Sequence, residues 1–135
     1  MAGPELTFPD VERLIVDYLT DRPELSDITI DDVPPPDFDG TQRVVLVSRV
    51  GGAWIDDEHL DRPLVELEVY GPDKPSAHTD SLGVRAALQA LRGVTYGGVT
   101  VADVIEAEAA RWLPDYNRPV ANRYLTTVQL SLTPL

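Results

Sequence analysis

The densest grouping of chemically capable side chains is Asp56, Asp57, Glu58, His59 and Asp61. Carboxylates and an imidazole this close together suit a hard cation, but the run lacks the alternate, glycine-punctuated spacing of a calcium loop. A solvated acidic loop without a metal is the expectation. Ser76, His78 and Asp80 supply the residue types of a nucleophile, a base and an orienting acid. They fall within a turn and a half of a helix start, where Ser and Asp serve as caps, so no catalysis is expected of them. Gly51-Gly52 and Gly97-Gly98 border strand-like runs without completing a phosphate-binding pattern, and both pairs read as turns. The sequence contains no GxSxG, HExxH or EF-hand pattern. It contains no Cys, which excludes disulfides, thiolate chemistry and Cys-type zinc sites. Trp54 and Trp112 read as packing or interface anchors rather than ligand platforms. The residues thus point to no enzyme, no cofactor and no catalytic or metal site.

Composition narrows the partners. The 135 residues fit one domain. No apolar run approaches the roughly 18 residues of a membrane helix, and the start MAGPELTFPD lacks the basic flank and apolar stretch of a signal peptide. Neither a membrane span nor export by that route is expected. A net charge of −12 has the wrong sign for gripping nucleic acid. Residues 1–42 hold 11 of the 23 acids against only Arg13 and Arg22. Lys74 is the lone lysine among 11 bases, an Arg bias that suits bidentate interface contacts and also follows from GC-rich coding.

These side chains need elements to hold them. Asp10 is placed to cap an amphipathic helix over residues 11–21, with Val11, Leu14, Ile15, Tyr18 and Leu19 on one face and Arg22-Pro23 as its stop. Ile28 to Ile30 suits a short strand. A Pro-rich connector or arm follows at about 31–42, since Pro34-Pro35-Pro36 cannot lie in a central strand. Arg43 to Val50 reads as a central buried strand and Leu64 to Tyr70 as a strand with one wet face, joined by a loop from Ala53 to Arg62. Asp73 caps a second helix over about 75–91, with Gly93 beyond it and a close neighbour expected at Gly83. Residues 123–133 alternate as a strand. Residues 103–113 favour helix by propensity, whereas Val99 and Val101 favour strand.

The order of four segments resembles the tail terminator proteins of long-tailed phages that infect actinobacteria. The segments are Arg49-Val50-Gly51-Gly52; Asp61-Arg62-Pro63-Leu64-Val65-Glu66-Leu67-Glu68-Val69-Tyr70; Val84-Arg85-Ala86-Ala87-Leu88; and Arg111-Trp112-Leu113-Pro114-Asp115 ahead of Arg123-Tyr124. They span nearly the whole chain. None is a chemical signature alone, and related neck and tail-completion proteins share much of the pattern.

The resemblance implies an α+β fold, a mostly antiparallel sheet packed against two helices, with residues 99–112 in the sheet. It implies a structural virion protein, assembled in the host cytoplasm. Such a protein forms a homo-oligomeric ring, expected to be a hexamer, on the tail tube at the head-proximal end of the tail. The tube protein and a head-side connector or stopper protein are the implied partners, and DNA only passes through the channel. Candidate interface residues are Arg49, Trp54, Arg111, Trp112, Leu113 and Tyr116. A channel that DNA traverses benefits from repelling phosphate. Candidates to face it are Asp56, Asp57, Glu58 and Asp61, together with Glu106 and Glu108, whose spacing of two predicts a shared strand face. The competing classes are a monomeric adaptor and a metal-dependent enzyme using the acidic loop.

Overall fold

The computed structural model describes residues 7–55 and 59–135. Helix α1 spans Val11–Thr20, and the Asp10 carboxylate accepts the Arg13 backbone N–H at 3.2 Å, as its capping position predicts. A 3-10 turn at Pro23–Leu25 leads to β1, Thr29–Asp31. Strands β2 (Val44–Ile55) and β3 (Leu60–Gly71) form a long hairpin, followed by α2 (Lys74–Ala90). Asp73 caps α2 by accepting the Ser76 N–H at 2.8 Å. The chain closes with β4 (Thr95–Tyr96), β5 (Val99–Trp112) and β6 (Asn122–Leu132).

The fold is α+β, with one mixed six-stranded sheet in the order β1-β2-β3-β6-β5-β4. β1 runs parallel to β2, and the other neighbours are antiparallel. Both helices pack on one face, where Ile15, Leu19, Val47, Leu67, Val84, Leu88 and Leu130 belong to the main core. The Tyr18 hydroxyl ties the helices together by donating to the Ala87 carbonyl at 2.7 Å. At Gly83 a Cβ would stand 3.3 Å from Leu25, so the small residue does mark a close approach.

β5 runs through the Ala- and Glu-rich segment that favours helix. Val99, Val101 and Val104 are buried and the backbone pairs with β6, and this tertiary pairing overrides local propensity.

The Pro-rich connector folds back on the other face of the sheet. There Phe38 packs edge-on against Tyr70 with ring centroids 4.8 Å apart, joining a small cluster of Val44, Leu46, Tyr70 and Ala121. This second cluster explains why β2 begins buried on both faces.

Two expectations are corrected. Gly51-Gly52 is not a turn: β2 bulges between Arg49 and Gly51 and continues to Ile55, so most of the supposed loop from Ala53 to Arg62 is hairpin arm. Gly97-Gly98, by contrast, is the β4–β5 turn, with φ of 61° and 82°. The second correction concerns Glu106 and Glu108. A register shift between them pairs Glu106 with Val128 and Glu108 with Thr127, two successive β6 residues, which puts the two acids on opposite faces.

Candidate functional site

The β5–β6 hairpin carries most of the candidate interface. Trp112 ends β5 with 43% of its surface exposed, outside the core. The Lys74 ammonium sits 4.6 Å from its ring centroid. Leu113 is half-buried and its N–H donates to the Arg123 carbonyl at 3.0 Å. Tyr116 is 93% exposed, and Val120 is also exposed. Arg111 pairs with Glu108 at 2.7 Å on the sheet face away from the helices. Trp112, Tyr116 and Val120 therefore put apolar surface into solvent on and after one strand end, with a cation against the indole.

The connector behind them, residues 113–121, is held by a polar network. The Tyr70 hydroxyl donates to Asp115 Oδ2 at 3.0 Å and lies 3.1 Å from Glu68 Oε2. Arg118 donates to the same Asp115 oxygen at 2.9 Å, and the Asn117 N–H reaches Oδ1 at 3.0 Å. Arg123 bonds Glu68 and the carbonyls of Leu113 and Pro114. Burial works against ionisation of Asp115, but the bonds from Arg118, Asn117 and Tyr70 outweigh it and hold its pKa below the ordinary value. Burial, then the Glu68 charge and the bond to Asp115, raise the Tyr70 hydroxyl well above the ordinary tyrosine range. The connector is thereby braced against the sheet.

The remaining candidates lie elsewhere. Arg49 is at the β2 bulge, bonded through both terminal nitrogens to Asp61, and its backbone N–H donates to the Glu12 carboxylate at 2.7 Å. Asp61 is 4% exposed, so it presents little charge to solvent. Trp54 stands opposite Asp61 in the β2–β3 register. Asp56, Asp57 and Glu58 lie outside the described residues, and His59 occupies the hairpin turn at φ 53°. Glu106 binds Arg85 of α2 at 2.6 Å. Glu108 faces the other way, near Glu66, whose pKa is raised by burial and then by the charges of Glu68 and Glu108.

Ser76, His78 and Asp80 follow helical geometry and have separate partners. Ser76 meets Asp73, the His78 ring tilts against Tyr124 at 5.2 Å, and Asp80 takes two bonds of 2.9 Å from Arg43. Among the described residues no three His, Cys, Asp or Glu side chains gather as metal ligands, and no helix is long and apolar enough to cross a membrane. The Lys74–Trp112 contact and the Tyr70–Asp115 network escape sequence reasoning, because both join residues more than 35 positions apart. The solitary lysine was the available hint. The chain matches no protein-family model and no curated protein.

Proposed function

We propose that this chain is a structural virion subunit that caps a phage tail tube as a ring, ends tube growth and joins the tail to the head-side connector. The observation that carries this reading is the β5–β6 hairpin. The resemblance implies a strand over 99–112 against local propensity, and β5 occupies Val99–Trp112. Its far end exposes Trp112, with Tyr116 and Val120 in the connector beyond. Aromatic side chains left in solvent on a braced connector suit burial in a contact between subunits or with the tube. The charge fits a DNA route, since −12 on each copy disfavours phosphate binding. Glu108 is exposed to solvent though paired with Arg111, and Asp61 and Glu106 are engaged by Arg49 and Arg85.

Electron cryomicroscopy of assembled tails, together with the mass of the assembled ring, tests the reading. The expected result is a closed ring, of six copies, at the head-proximal end of the tube. A two-chain particle or an open helical filament at that position overturns it.

A further inference from the structure

The start of β5 forms one wall of a groove of about 230 Å³ between α1 and the β4–β5 turn. Pro9, Leu14, Tyr96 and Val99 supply its apolar lining, Asp10 and Asp17 its acids, and Arg13 its one base, which also reaches Asp31 and Asp32. Its volume suits one aromatic side chain. The Asp17 carboxylate is 55% exposed, and its ion pair with Arg13 is a loose 3.7 Å. Asp21, just past the end of α1, accepts the Tyr96 hydroxyl. This is apolar surface whose charged edge carries two acids against one base.

The opposite end of β5 has the complementary character. Trp112 and Tyr116 are exposed there, and Lys74 lies over the indole without forming an ion pair among the described residues. Among the described residues nine arginines pair with acids and Lys74 does not, so its ammonium can meet an outside carboxylate. Val99 in the groove and Trp112 in the knob are the two ends of the 14-residue β5, roughly 40 Å apart at about 3.3 Å per residue. One copy cannot fill its own groove.

We infer that the Trp112–Tyr116 knob of one copy seats in the groove between α1 and the β4–β5 turn of a second copy, with Lys74 against Asp17. The two patches differ and lie at opposite ends of one strand, which defines a head-to-tail junction. Apolar burial supplies the attraction, and the charge pair sets orientation and rejects other partners. This inference rests on the ring reading for its choice of partner, a second copy of this chain.

The test mixes two variants, one carrying Trp112→Ala and Tyr116→Ala, the other Asp17→Arg. All three are surface positions, and circular dichroism checks that each variant folds. By sedimentation velocity, each variant alone should self-associate about thirtyfold more weakly than the wild type, the loss of one hot-spot contact. Mixed, they retain one intact junction and should form a 1:1 pair that grows no further. The inference is overturned by a wild-type chain that stays monomeric at millimolar concentration, by variants that associate as the wild type does, or by a mixture that does not pair. It is equally overturned if the knob variant loses only binding to a single-stranded oligonucleotide. Rings that persist on tails carrying either variant would refute this junction and leave the ring reading intact. A verified junction in a chain that never caps a tube would do the reverse.

Discussion

Arg49 and Asp61 meet across the β2–β3 hairpin in a two-point contact, Nη1 to Oδ2 at 2.9 Å and Nη2 to Oδ1 at 3.0 Å. The carboxylate is buried and the guanidinium partly open to water. Removing the arginine therefore strands a buried charge, whereas removing the acid leaves a cation that water can still solvate. Arg49→Ala should lower stability by about 1 to 3 kcal/mol, and Asp61→Asn should cost less. Urea unfolding midpoints measure both. No cost from either would show that the pair contributes nothing to the hairpin, and equal costs would contradict the asymmetry of burial.

Gly52 follows the β2 bulge, opposite Pro63, at φ +97°, where a Cβ would lie 2.1 Å from the Arg62 carbonyl oxygen and 2.6 Å from the Leu64 nitrogen. Both obstacles are backbone in the partner strand, so the hairpin has to separate to admit a methyl group. Gly93 also has a positive φ, +78°, but nothing lies within 4 Å of its Cβ position. Gly52→Ala should cost about 3 kcal/mol or more and Gly93→Ala about 1 kcal/mol, the backbone term alone. A thermal melt in which the two variants coincide would contradict the close approach of β3 to Gly52.

Tyr70 and Asp115 make stability depend on pH at both extremes. The Asp115 pKa is lowered in the folded chain. Its contribution is complete above the unfolded value of about 4 and is lost as pH falls through the lower folded value. The Tyr70 pKa is raised, so its contribution is complete below the unfolded value of about 10 and disappears as pH climbs toward the folded one. Asp115→Asn should therefore be least stable relative to the wild type near neutrality, with the gap closing below about pH 4. Tyr70→Phe should flatten the alkaline limb. Gaps that stay constant from pH 3 to 11 would remove the network's role.

Much of this architecture is legible from side-chain period and capping. Asp10 and Asp73 mark both helix starts, and the alternation from Tyr124 to Leu132 marks β6. Bulges defeat the same reasoning. A Gly-Gly pair looks alike whether it turns a chain or relieves a bulge, so Gly51-Gly52 was unreadable without the β3 register. Counting by two along β5 fails at the Glu106/Glu108 slip for the same reason. The contacts that define the candidate site are harder still to read. Arg49 and Asp61 are 12 residues apart and Tyr70 and Asp115 are 45 apart, and the tertiary arrangement of hairpin and connector, which local pattern does not encode, brings those pairs together. The apolar character of Trp112, Leu113 and Tyr116 beside a turn did flag the tip, but not the lysine beneath it.

Trp112 separates packing from recognition most directly. Its side chain touches Lys74 and is 43% exposed, while Leu130 on the adjacent strand is wholly buried. Loss of a partly exposed indole forfeits one cation–π contact and some covered surface, so Trp112→Ala should destabilise the single subunit by about 1 kcal/mol. Leu130→Ala opens a cavity in the core and should cost about 2 to 5 kcal/mol. Chemical unfolding of the two variants at concentrations where the chain is monomeric gives the comparison. Its outcome is independent of any assembly. A Trp112→Ala loss as large as that of Leu130→Ala would make the indole a structural anchor and withdraw it from the candidate interface.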